Sequence, residues 1–124
     1  MALAAISVAL TNPAAEASGQ SYYWKWSDGS RDVTRVFTQA RWGLQSNLPE
    51  IVITATPALP SHLVVLQAKR DRTWTTETSA RIGHDGVATI EIDPYCANAA
   101  WCRGSYPYRL SVDGQTAPLT LIFS

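Results

Sequence analysis

Cys96 and Cys102 are the only cysteines of the chain, and His62 and His84 its only histidines. These are the side chains able to do nucleophilic, acid–base or metal chemistry near neutral pH. As zinc ligands they fit poorly. C-x5-C is not a knuckle spacing, and both histidines lie far off in sequence. His62 follows Ser61 at a strand start, and His84 precedes Asp85 in a turn. Neither stands in a strained nucleophile turn such as G-x-S-x-G, so no catalytic residue is assigned. A glycosidase needs two carboxylates across a cleft. Several acids here, such as Asp85 and Asp113, are turn formers instead. "DGSRD" (Asp28 to Asp32) has half the spacing of a calcium loop, but no Glu follows to close it. Neither metal nor cofactor is expected.

The two cysteines form a short loop, "PYCANAAWCRG", from Pro94 to Gly104. Oxidised, Cys96–Cys102 clips a segment that has few ladder hydrogen bonds of its own. Aromatic residues are the other resource, with five Trp in 124 residues. "YYWKWSDG" puts Tyr22, Trp24 and Trp26 on one strand face and Tyr23 and Lys25 on the other. Such rings stack on sugars from a wet face or fill the core from a dry one. Alternation alone does not choose between the two. The candidate binding residues are Trp24, Trp26, Trp42, Trp101 and Tyr95.

Period-two alternation dominates the elements that must position these residues. "YPYRLSVDG" aligns Tyr106, Tyr108, Leu110 and Val112. "PLTLIFS" aligns Leu119, Leu121 and Phe123. "GVATIEID" aligns Ala88, Ile90 and Ile92, and "EIVITATP" aligns Ile51, Ile53 and Ala55. Each reads as a half-buried strand. Asp85-Gly86 and Asp113-Gly114 tolerate positive φ and are expected to close tight hairpins. "RDRT" (70–73) is expected to join its strands through a longer turn. The predicted strands are 21–27, 33–41, 50–56, 62–70, 74–82, 87–92, 106–112 and 116–123. Those of the second half are read as a meander, with 93–105 crossing between sheets. The 33–41 stretch also fits a helical stripe, but its valines and threonines favour a strand. Seven to eight antiparallel strands at this spacing predict an all-β sandwich with one short-loop disulfide.

Formal net charge is zero and charged residues make up 16% of the chain. Nucleic acid is excluded as a partner, because phosphate neutralisation needs a clustered basic surface. "MALAAISVAL" is too short for a membrane span. With Ala15-Glu16-Ala17 as a small-x-small cleavage pattern, residues 1–17 read as a signal-peptide remnant lacking its basic n-region. Residues 18–124 then form the mature domain, secreted and extracellular.

"VVLQAKRDRTW", "ARIGHDGVATIEI" and "YPYRLSV" together resemble the immunoglobulin-like and fibronectin type III-like modules of exported bacterial proteins, especially actinobacterial ones. The matching features are Leu66-Gln67, Trp74, Asp85-Gly86 and Tyr106, Tyr108 and Arg109, over about residues 50–123. The resemblance implies an immunoglobulin-like sandwich, a core position for Trp74 and a non-catalytic role. Protein–protein contact or a structural part at the cell exterior is the expected function, as a monomer or weak dimer. Two alternatives stand beside it. One is a module binding cell-wall polysaccharide through exposed Trp and Tyr. The other is a secreted protease inhibitor presenting the 96–102 loop.

Overall fold

The computed structural model describes residues 8–9, 21–44 and 48–124. Alternation sorts nearly every strand into one dry and one wet face. β1 (Val8–Ala9), β2 (Ser21–Trp26), β4 (Ile51–Thr56) and β7 (Val87–Ile90) form one antiparallel sheet, in the order β1-β2-β4-β7. β3 (Thr34–Phe37), β9 (Gln115–Phe123), β8 (Gly104–Val112), β5 (Leu63–Arg70) and β6 (Thr73–Arg81) form the other, in that order. Trp24 pairs with Ile53 and Ile53 with Ala88; Trp26 pairs with Ile51 and Ile51 with Ile90. On the facing sheet Leu66 pairs with Leu110, and Leu110 with Ala117. All of these side chains are buried. They form one core between the layers, and removing their apolar area from water drives the sheets together.

Residues 1–17, set aside as a leader, lie largely outside the described residues. Val8 and Ala9 are described, and they pair with Trp24 and Tyr23 along the edge of β2. No helix among the described residues is long and apolar enough to cross a membrane.

Four local expectations are corrected. The 33–41 stretch divides. Its first part, β3, runs parallel to the end of β9. Thr38 then caps a one-turn helix, α1 (Gln39–Trp42), its hydroxyl accepting the Arg41 amide at 3.3 Å. A Thr side chain at an N-cap satisfies a helix donor that a strand continuation would leave to its neighbour.

The second correction concerns the meander. β6 and β7 belong to different sheets, so Asp85-Gly86 turns the chain between layers rather than closing a hairpin. Gly86 has φ +82°, and a Cβ there would meet the Ala55 carbonyl at 2.9 Å. Its own carbonyl accepts the Ala55 amide at 2.8 Å, which locks this crossing against β4. The expected crossing at 93–105, between β7 and β8, is present. Asp113-Gly114 does close a two-residue hairpin, with Val112 opposite Gln115.

Third, the 70–73 connection is the shortest kind of hairpin. Arg70 pairs with Thr73, leaving Asp71 and Arg72 in the turn with φ of 50° and 69°. Positive φ at both positions is the primed turn that matches strand twist. The fourth concerns Trp74, for which the resemblance implied a core position: it pairs with the exposed Lys69. A bulge in β6 opposite Leu66 and Gln67 breaks the alternation, so Trp74 and Ala80, in phase by sequence, lie on opposite faces. Trp74 therefore lies half-buried on the outside of the five-stranded sheet, not in the core.

Candidate functional site

The candidate aromatics divide by accessibility. Trp24 and Trp26 have no exposed surface and Trp101 has 6%. The three indoles are thus withdrawn from any sugar or protein surface. Their edges meet other rings in series. Trp24 contacts Trp26, Trp26 contacts Phe37 and Phe37 contacts Trp42, with centroids 5.8–6.1 Å apart and planes steeply inclined. These edge-to-face pairs put the positive rim of one ring against the negative face of the next. Trp26 donates its Nε1–H to the Asp32 carbonyl at 2.9 Å, while the Trp24 and Trp101 indole N–H groups meet no acceptor among the described residues. Trp42 is half-buried at the end of α1, with the Arg41 guanidinium 4.6 Å from its centroid.

Tyr95 and Trp101 come together at the clipped loop. They form an isolated antiparallel bridge, and their rings pack perpendicular at 5.8 Å. Cys96 and Cys102 are disulfide-bonded across this bridge. Trp101 turns inward onto Phe123, while Tyr95 stays 46% exposed. The Cys96 amide donates to Ala100 and the Ala100 amide to Ala97, so the tip closes on itself. Asn98 and Ala99 have positive φ. A protease reads an extended segment by strand pairing, and this curled tip of small residues presents none.

Asp28, weighed above for calcium, is engaged by Arg35 through both carboxylate oxygens. That pairing holds its carboxyl down at about 2. Arg35 lies in turn over the Trp26 and Phe37 rings. A histidine and a carboxylate do meet, at the opposite side of the fold. His62 Nδ1 lies 2.6 Å from Asp113 Oδ2, and the Tyr22 hydroxyl donates to the same oxygen. Burial raises the Asp113 pKa, but the Tyr22 and His62 hydrogen bonds and the His62 charge more than offset it, and the net shift is downward. Tyr22 is driven upward by burial and by the same carboxylate. The His62 and Asp113 side chains are 41% and 43% exposed. The arrangement ties β2 of one sheet to the β8–β9 turn of the other. No hydroxyl among the described residues is hydrogen-bonded to His62.

Glu77, Glu91 and Asp93 line an open cleft beside Leu66 and Tyr108. Glu77 is held by Arg70 at 3.1 Å, and Asp93 caps the Tyr95 amide at 2.9 Å. Burial, with Glu77 nearby, pushes Tyr108 up to about 12. No set of three ligating side chains among the described residues is arranged to hold a metal ion.

The outer face of the five-stranded sheet carries a cluster that alternation alone did not single out. Gln67 of β5 sits between Thr76 of β6 and Arg109 of β8. Arg109 donates Nε–H to Gln67 Oε1 at 2.7 Å, and its guanidinium lies 4.3 Å from the Trp74 centroid. Gln67 donates onward to the Thr76 hydroxyl at 3.4 Å, and Lys69 lies 5.8 Å from the same indole. The signal was present in the chain. Gln67 and Arg109 occupy the wet phase of their strands, and a two-residue turn would have placed Trp74 beside them. Comparison of the chain with known protein families, curated proteins and solved structures returned no match.

Proposed function

We propose that the chain is a non-catalytic, exported immunoglobulin-like or fibronectin type III-like module that works by protein–protein contact at the cell exterior. Strand order supports the fold. β9-β8-β5-β6 follows the G-F-C-C′ order of immunoglobulin-type sheets, with β2-β4-β7 in the A-B-E positions. Tyr106, where the inter-sheet crossing enters β8, donates its hydroxyl to the Arg103 carbonyl at 2.6 Å. A Tyr at that corner, bonded back to upstream backbone, is a feature of such sandwiches. The closed disulfide favours an oxidising compartment.

The contact role rests on one observation: an open sheet face carries Trp74, Arg109 and Gln67 already fixed to one another. Groups ordered before docking lose less entropy on binding. The polysaccharide alternative loses the indoles of Trp24, Trp26 and Trp101 to the interior. The inhibitor alternative is left with a closed tip. The test is cross-linking of the purified chain to culture medium and cell envelope, followed by peptide mapping of the contact. Cross-links concentrated on β5, β6 and β8 are expected. Capture by polysaccharide with no protein cross-link would overturn the reading.

A further inference from the structure

Arg109 is held in place but not neutralised. Its Nε–H is committed to Gln67 and its Cζ sits 4.3 Å from the Trp74 centroid, so two contacts hold the fork. Its two terminal nitrogens meet no acceptor among the described residues. Ion pairs among those residues join Arg35 to Asp28, His62 to Asp113 and Arg70 to Glu77, and none includes Arg109 or Lys69. Two cations therefore flank one indole with no carboxylate of the described residues in ion-pair contact with either, on a chain whose formal net charge is zero. The charge is local to this face rather than a property of the whole molecule. A rigid guanidinium with free terminal N–H groups is the geometry that takes a carboxylate in two parallel hydrogen bonds.

We infer that this face docks an acidic peptide segment, with Arg109 receiving a carboxylate side chain and Lys69 a neighbouring one. The inference rests on the protein-contact reading and names the partner's chemistry. A sugar acid shares the carboxylate. However, the guanidinium already lies over the indole at 4.3 Å, so the ring serves as a shelf for Arg109 rather than a platform for a pyranose. Lys69 and Arg109 lie on the neighbouring strands β5 and β8, a layout suited to an extended chain with acids on one side.

The experiment titrates the full-length, isotope-labelled chain with oligo-glutamate and follows amide and side-chain N–H resonances. Saturating shifts at the Trp74 indole and Arg109 Nε are expected, diminishing as salt rises. Arg109→Gln should weaken the apparent affinity about tenfold or more. Arg109→Lys, which keeps the charge and loses the fork, should also weaken it. An unchanged spectrum elsewhere in both variants certifies the fold. No shift at Trp74, equal affinity in Arg109→Gln, or saturation by polygalacturonate but not by oligo-glutamate would each overturn the inference. If cross-links to a protein partner survive Arg109→Gln unchanged, the inference fails and the module reading stands. If no partner is captured yet oligo-glutamate still binds here, the module reading fails and the acidic-peptide site stands.

Discussion

Trp26 and Trp74 are the same residue in the same kind of element, yet their surroundings are opposite. Trp26 is sealed between the sheets with Ile51 beside it and Phe37 across from it. Trp74 lies half-buried on an outer face, with Lys69 beside it and Arg109 over its ring. Both indoles have a guanidinium nearby, since Arg35 lies 4.9 Å from the Trp26 centroid. That cation is closed off by Asp28, whereas Arg109 has no carboxylate among the described residues. An indole in the core supplies buried area. One on the outer face, with its cation unpaired, supplies orientation for something that arrives later.

Substitutions break this contrast in graded fashion. Trp26→Ala should cost the most, about 3–5 kcal/mol, because the lost ring leaves a cavity the sheets cannot close. Denaturant unfolding checks it, and a loss under about 1 kcal/mol would show the interior is not packed around this ring. Opening the clip comes next. Cys96→Ser with Cys102→Ser should cost about 2 kcal/mol, the loop-closure entropy of so short a ring. Comparing unfolding midpoints with and without reductant in the unaltered chain should give the same difference.

Asp113→Asn probes the polar tie at the sandwich edge, intermediate between interior and surface. Asp113 has its pKa lowered in the folded chain, so its contribution is complete above the ordinary carboxylate range. As pH falls, the unfolded chain takes up the proton first and the contribution is lost. The variant should flatten that part of the acid limb by no more than about 1 kcal/mol, given the exposure of the pair. A stability–pH curve parallel to the unaltered chain would remove the tie from the account. Trp74→Ala should be the mildest, about 0.5 kcal/mol, as only its surface cation–π contacts with Arg109 and Lys69 are lost. A cost like that of Trp26→Ala would abolish the distinction between the two indoles.

Much of the fold was legible because period two is a local property. The inner rows Ile51-Ile53-Ala55, Ala88-Ile90-Ile92 and Leu119-Leu121-Phe123 are buried as the pattern predicts. The disulfide was legible because two cysteines allow one pairing. Trp74 was misplaced because its core position came from the family resemblance, and unbroken alternation back from the buried Ile82 agrees with that position. A bulge between Thr76 and Thr78 reverses the phase of β6, and that irregularity hid the outer cluster. The Asp71-Arg72 turn is a separate miss: it contains no Gly or Asn to advertise positive φ, so it was read as longer than it is. The tie between Tyr22, His62 and Asp113 was invisible, since its members lie as far as 91 positions apart.

Alternating side chains, by themselves, determined that this chain makes pleated strands and which side of most of them is dry, because adjacent side chains on a strand point opposite ways. Tertiary structure alone decided which strands become neighbours. β6 and β7 follow each other in the chain and part to different sheets, whereas β3 and β9 meet in parallel from opposite ends. The physical reason is that backbone hydrogen bonds are identical from strand to strand. The choice among partners falls to turn length and to how the large inner rings share one core.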